Sequence, residues 1–272
     1  AACVARLFEE VTMLDLKGRR ALVTGIANQF SIAWGIAQRL SGAGAELALS
    51  YLPDARGRAE RRARQLADQV GCHLVLPCDV RQDGDVASLI GEVRRQWGAL
   101  DILVHALAWA RVEDLTGDFS AVSREGFLAA HEVSVFSLVA LAREARPLME
   151  GRPGSILTVS YLGSVRAVPH YNVMGVAKAA LESSVRYLAA EFGPAGIRVN
   201  AVSPGPVETL SASAISGFER LLSLTAAQAP LRRNVTIEQI GDAAVFLCSD
   251  LASAITGQVL YVDGGFSTVV PV

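Results

Sequence analysis

Tyr171 and Lys178 close a stretch, Ser160-Tyr-Leu-Gly-Ser-Val-Arg-Ala-Val-Pro-His-Tyr-Asn-Val-Met-Gly-Val-Ala-Lys178, in which polar groups gather between two apolar segments. Seven residues is nearly two helical turns, so on a helix the two heads leave almost the same face, about 10 Å apart along the axis. An ammonium near a phenol favours the phenolate and lowers the phenol's pKa. A ligand hydroxyl could also lie between the two heads. Tyr161 falls where a strand would end, the place at which open α/β sheets hold their ligands. A tyrosine and a lysine at this spacing are more often an amphipathic pair with the lysine in water. The surrounding elements decide between the two.

The apolar run Ser155–Val159 predicts a buried strand. After Pro169 the pattern changes to Val173, Val176, Ala177, Ala180, Leu181, Val185 and Leu188, a helical period. Earlier in the chain, Arg20–Gly25 predicts a first strand and Ser31–Leu40 its helix. Glu46–Tyr51, His73–Cys78 and Leu100–His105 predict further strands, with helices over 55–70 and 86–96 between them. A long helix is expected over 124–149, a sixth strand over 198–202 and a last one over 258–262. Thr236-Ile-Glu-Gln239 has the form of a capping box opening a helix to Cys248. Continuous apolar strands alternating with helices predict one α/β domain, a doubly wound, Rossmann-type parallel sheet of about seven strands covered on both faces. Residues 13–272 form this domain, with 1–12 as an N-terminal extension. The interval 203–230 breaks the rhythm with about 28 residues between a strand end and the next helix, a length typical of lids and binding loops.

Composition narrows the function classes. With 272 residues, 51% of them hydrophobic and 19% charged, the chain has the balance of a well-buried globular protein. A net charge of −2 leaves no electrostatic footprint for nucleic acid or an anionic membrane. Cys3, Cys72, Cys78 and Cys248 show no C-x-x-C spacing, which fits a reducing cytoplasm. His73, His105, His131 and His170 have no metal-ligand spacing, so no metal is expected.

The turn Gly25-Ile-Ala-Asn-Gln-Phe-Ser31-Ile-Ala-Trp-Gly35 joins the first strand to its helix without the G-x-G-x-x-G spacing. Gly25 permits close backbone approach. Ser31 can cap the helix or bond a phosphate, and the helix N-terminus offers free N–H groups. Tyr51-Leu52-Pro53 ends the second strand with no carboxylate for a ribose 2′-hydroxyl. Arg56 and Arg58 either meet a 2′-phosphate or face solvent, so NADH and NADPH both stay open. Asp79, directly after the third strand, is placed either to accept from an adenine amino group or to cap a helix.

Taken with the closing Val262-Asp-Gly-Gly-Phe266, these features resemble the short-chain dehydrogenase/reductase superfamily. Within it the chain is similar to the bacterial enoyl-acyl-carrier-protein reductases of type II fatty acid synthesis. That branch has Tyr-x6-Lys in place of Tyr-x-x-x-Lys, and Tyr171-Asn-Val-Met-Gly175, Ser160-Tyr-Leu-Gly163, Ser123-Arg-Glu-Gly-Phe127, Arg198-Val-Asn-Ala201 and Ala229-Pro-Leu-Arg-Arg-Asn234 match it. The resemblance implies hydride transfer from NADH or NADPH to the β-carbon of a trans-2-enoyl thioester. It implies Tyr161, Tyr171 and Lys178 as catalytic residues, with Tyr171 donating to the forming enolate and Lys178 holding the nicotinamide ribose. Gly25, Ile26, Ser31, Ile32, Asp79, Val80, Ala106, Leu107, Ala108, Gly205, Val207 and Thr209 would line the cofactor. Trp109, Met174, Ser211, Ala212, Ile215 and Phe218 would join Tyr161 and Tyr171 around the acyl chain, with Ser211–Leu222 as a mobile lid. The partners it implies are an enoyl-loaded acyl-carrier protein and further copies of the chain in a cytoplasmic homotetramer.

The chain departs from the family pattern at three places. Ala106-Leu-Ala-Trp109 stands for Ser-Ile-Gly-Phe, Pro204 stands where alanine is usual, and leucine ends the second strand. Trp109 is bulkier than the residue it replaces, Ala108 bears on diphenyl-ether binding, and Pro204 restricts the lid hinge. A ketone or alcohol reductase would need a tyrosine four residues before Lys178, where Met174 stands. A nucleotide sensor on a dead reductase frame would not need the intact Tyr171 and Lys178.

Overall fold

Alternating apolar residues in each central strand serve two cores. In a computed structural model, which describes residues 14–209 and 217–270, Val23, Val104, Leu157 and Val202 point to one face of a sheet. Leu22, Leu103, Ile156 and Val199 point to the other. Burying both faces explains the unbroken apolar runs, since each such side chain contributes about 1.5–3 kcal/mol on burial.

The strands are β1 (Arg20–Thr24), β2 (Glu46–Tyr51), β3 (Leu74–Pro77), β4 (Ile102–His105), β5 (Gly154–Val159), β6 (Ile197–Pro204) and β7 (Val259–Val262). They form a seven-stranded sheet in the order β3-β2-β1-β4-β5-β6-β7. Every pairing is parallel, with Val23 opposite Val104 and Val104 opposite Leu157 at the centre. The helices are α1 (Ile32–Gly42), α2 (Arg58–Gln69), α3 (Asp83–Trp97), α4 (Arg124–His131), α5 (Ser137–Met149), α6 (Asn172–Phe192), α7 (Phe218–Gln228) and α8 (Ile237–Cys248). Helices α1, α2 and α8 cover the first face, and α3, α5 and α6 the second. The chain order reverses between β1 and β4, so the crevice at their carboxyl ends is the switch point where this architecture takes its ligand. This is the doubly wound fold that the sequence predicts.

Local chemistry sets the boundaries. Ser31 caps α1, its Oγ accepting from Trp34 N at 3.3 Å. Thr236 and Gln239 form the expected capping box on α8. Helix α2 starts at Arg58 rather than near 55, because the Asp54 carboxylate accepts from the N–H groups of Arg56, Arg58 and Ala59. The helix expected over 124–149 is continuous but not uniform: a π-helical turn, Glu132–Phe136, separates α4 from α5. That span is long and apolar enough to cross a membrane by length and composition. Its Leu138, Leu141, Ala145 and Met149 are instead packed in the second core.

The interval 203–230 is less open than its sequence suggests. Strand β6 runs on to Pro204, and α7 fills 218–228. Only Thr225 of α7 is fully buried, so its sequence lacks the strong apolar face that marks a core helix. The expected extension 1–12 and the lid residues Ser211, Ala212 and Ile215 lie outside the described residues.

Candidate active site

The aromatic pair is built by a loop and a helix meeting at bare backbone. Strand β5 delivers Tyr161 in extended conformation, followed by a 3₁₀ turn, Leu162–Ser164. Tyr171 ends the loop as the residue capping α6. His170 (φ 60°) and Asn172 (φ 35°) flank it with left-handed backbone, which histidine and asparagine adopt more readily than most residues. Asn172 Nδ2 donates to Gly117 O at 3.2 Å and ties this kink to the loop after β4. The rings of Tyr161 and Tyr171 then meet edge to face, with centroids 4.8 Å apart and planes at 61°. A methyl on Gly163 would lie 2.5 Å from Tyr171 Cδ1, and one on Gly175 would lie 2.8 Å from Gly163 O. Gly163→Ala should therefore displace the Tyr171 ring and lower kcat by about tenfold or more through misalignment. Steady-state rates and a melting curve check this, and a folded variant with wild-type kcat would contradict it.

Lys178, nearly two turns beyond Tyr171 on α6, is 4% exposed, and its Nζ donates to Val159 O at 2.7 Å. An ammonium has three donors, so two remain for a ligand. Burial pushes this ammonium down to about 8, and the Glu182 carboxylate acts in the opposite direction. Burial pushes the Tyr161 phenol up to about 12. Tyr171 is raised further, by burial first and by Tyr161 second. This reverses the sequence expectation of a lowered phenol: desolvation outweighs any help from the lysine, whose head is turned onto the Val159 carbonyl. Tyr171 is thus a neutral hydrogen-bond donor at physiological pH. His105, fully buried beneath the site, is held neutral by burial and by Lys178, with a pKa of about 3. Its ring nitrogens lie 2.8 Å from Thr158 Oγ1 and 2.7 Å from Ser137 Oγ.

The crevice between β1 and β4 fits a dinucleotide. Gly25 has φ 90°, and a Cβ there would sit 2.2 Å from Ala106 O, so only glycine allows the two strand ends to approach. Ser31 and the half-buried Ile32 open α1 with no acidic residue in its first turn, which leaves its positive end available to a phosphate. Ile26 is buried, and Ala106 and Leu107 are half-buried while Ala108 is exposed. Gly205 is buried against β7, donating to Val262 O at 2.9 Å, and Val207 and Thr209 follow it half-buried. Val80 is half-buried beside Asp79, whose two carboxylate oxygens are engaged by Arg81 Nε at 2.9 and 3.1 Å. Asp79 does not cap α3, whose capping residue is Gln82. Leu52 stands exposed at the end of β2, and Asp54 is occupied as the cap of α2.

On the acyl side, Met174 is buried and Trp109 is 47% exposed. Ser134, from the π turn, links them: Trp109 N donates to its Oγ at 3.1 Å, and that hydroxyl lies 3.8 Å from Met174 Sδ. Phe218, the first residue of α7, is half-buried.

The comparisons with known proteins agree with this geometry. The sequence model of the family described as enoyl-(acyl carrier protein) reductase matches residues 25–267. The chain belongs to that family. An NADH-dependent enoyl-[acyl-carrier-protein] reductase of Nostoc is 57% identical over 255 residues, 93% of this chain and 98% of that protein. The Escherichia coli protein of the same description is 48% identical over 254 residues. The crystal structure of the Aquifex aeolicus enoyl-[acyl-carrier-protein] reductase (NADH) has a TM-score of 0.90 at 50% identity, covering 94% of this chain and 99% of that one. A Bacillus cereus enoyl-acyl carrier protein reductase, crystallised with NADP+ and indole naphthyridinone, has a TM-score of 0.90 at 47% identity.

Several residues of this reductase escaped the sequence reading. Glu182 is 6% exposed and accepts from Ser160 Oγ and Ser164 Oγ, each at 2.6 Å. Its spacing of four from Lys178 was a signal, since i and i+4 share a helix face. Ser134 and Ser137 gave none, because their positions depend on a π turn. Among the described residues, no three His, Cys, Asp or Glu side chains gather as a metal site.

Proposed function

We propose that this reductase saturates the 2,3 double bond of trans-2-enoyl groups carried as thioesters on acyl-carrier protein, the step implied by the names of its relatives. The single observation that carries the reading is the Tyr161–Tyr171 pair, set at the carboxyl end of β5 beside a buried Lys178. When bound, the nicotinamide would supply hydride to the β-carbon, leaving negative charge on the thioester oxygen until a proton from solvent at the α-carbon completes the saturated product. Tyr171, neutral by burial, donates its O–H toward that oxygen. The donor is already oriented by Tyr161 and the Gly163 turn, so the hydrogen bond strengthens as charge forms, which is where binding accelerates a reaction. Lys178 offers its two remaining N–H donors to ribose hydroxyls, and its third bond, to Val159, fixes its direction. Gly25, Ser31 and the first turn of α1 would hold the pyrophosphate. Asp79 and Val80 would bound the adenine, and Ala106 to Ala108, Gly205, Val207 and Thr209 the remainder of the dinucleotide. Trp109, Met174 and Phe218 would wall the acyl chain.

NADH is the cofactor named for the Nostoc, Escherichia coli and Aquifex relatives, and we take it as the cofactor here. The lack of a carboxylate at the end of β2 leaves NADPH able to compete. Steady-state rates on crotonyl and longer enoyl thioesters, with each nicotinamide in turn, test the whole reading; no turnover with either would refute it. We also propose a cytoplasmic homotetramer. Leu128, Phe136, Val176 and Tyr187 are exposed along α4 to α6, and Leu260 and Tyr261 on the edge strand β7, which supports burial between subunits. Light scattering in solution measures the assembly directly.

A further inference from the structure

We propose that Glu182 is a positioning residue for this reaction: its carboxylate latches the Tyr161 turn to α6 and stands as the counter-charge of Lys178. The inference rests on the reductase reading above.

The geometry carries it. Ser160 lies directly before Tyr161 and Ser164 three residues after it, so the two hydroxyls bracket the turn that presents the ring. Both donate to one oxygen, Glu182 Oε1, at 2.6 Å. Charge-assisted O–H···O bonds of this length are the strong kind, and a buried carboxylate left without them would be costly. Glu182 belongs to the helix that also carries Lys178 and is capped by Tyr171. One side chain therefore fixes the turn bearing Tyr161 relative to the helix bearing the other two. Bare-backbone contact between Gly163 and Gly175 leaves no side chain to do the same at that level.

The charge has a second effect. Lys178 is buried with a single carbonyl partner, and Glu182 is the group that offsets its desolvation. The other groups facing this pair do not substitute for it. His105, on β4, is neutral. Tyr161 and Tyr171 are neutral phenols. Tyr261, on β7, is raised by burial first and by Glu182 and Asp263 after it, with Arg166 acting in the opposite direction, and stays protonated. Removing the negative charge lowers the pKa of Lys178, so the ammonium is lost at a lower pH.

The test is Glu182→Gln in the full chain, which keeps an oxygen for the two serines and deletes the charge. The basic limb of the pH profile of kcat/KM should move down by about one pH unit. The same shift should appear in NADH binding followed by cofactor fluorescence, which reads Lys178 without turnover. Wild-type turnover of crotonyl thioester tests the reductase reading separately, and failure there leaves the fluorescence measurement to decide the counter-charge role of Glu182. A basic limb that does not move in either measurement overturns the proposal. If Glu182→Gln does not fold, Ser160→Ala/Ser164→Ala decides: it cuts both hydroxyl bonds and should lower kcat about tenfold with NADH affinity kept. Wild-type kcat in that double variant overturns the latch.

Discussion

Tyr171→Phe is expected to lower kcat on an enoyl thioester by about 10²–10³-fold, the usual effect of deleting one donor to a developing oxyanion. The substitution removes one oxygen and keeps the ring, so the contact with Tyr161 and the packing on Gly163 survive. NADH affinity should therefore stay close to wild type, and KM should change far less than kcat. Pre-steady-state mixing with NADH separates the two quantities. A variant that retains more than a tenth of wild-type turnover would remove Tyr171 from the assigned role.

Lys178→Ala should act on the cofactor instead. It deletes the two ammonium donors left for a ligand and strips the part-buried Val159 O of its partner. NADH binding should weaken about ten- to a hundredfold, with a lower melting temperature for the free protein. Lys178→Met, which keeps the aliphatic stem but not the donor to Val159 O, should recover the packing share of the melting temperature and none of the affinity. An unchanged dissociation constant for NADH in both variants would sink this assignment. In the unaltered protein the lysine is charged below about pH 8 and loses its proton above it. Cofactor binding should weaken on that basic side and hold on the acid side.

The strands were legible because both faces of the sheet are buried, so β1, β4 and β5 carry unbroken apolar runs whose ends mark the crevice. The caps at Ser31 and Thr236 were legible because a cap is local. What was hidden depends on which local bonds win and on how much surface is buried. Asp54 shortens α2 by folding back on its own backbone, and α7 has too little buried surface to print an apolar face. The pKa of Tyr171 was read in the wrong direction because spacing along a helix gives the distance between heads and says nothing about burial. The Tyr-x6-Lys pair, its neighbour Tyr161 and Gly25 were named from sequence; the structure packs Tyr161 on Tyr171, buries Lys178 and brings Gly25 against Ala106. The serines that hold their supports could not be found that way.

One of those serines shows how much the site owes to a single irregular turn. Between His131 and Ser137 the helix widens, and both hydroxyls face inward: Ser134 to the Trp109 backbone, Ser137 to the His105 ring. A π turn accommodates one residue more than an α turn of the same rise. Each residue of regular helix rotates the next by roughly 100°. Shortening 132–136 by one residue would thus heal the helix with α4 and α5 still in register, and the residues of the turn itself, Ser134 among them, would be the ones to shift. Trp109 would lose its tether while the fold itself stayed closed. Length in this segment is as much a specificity element as any side chain it carries.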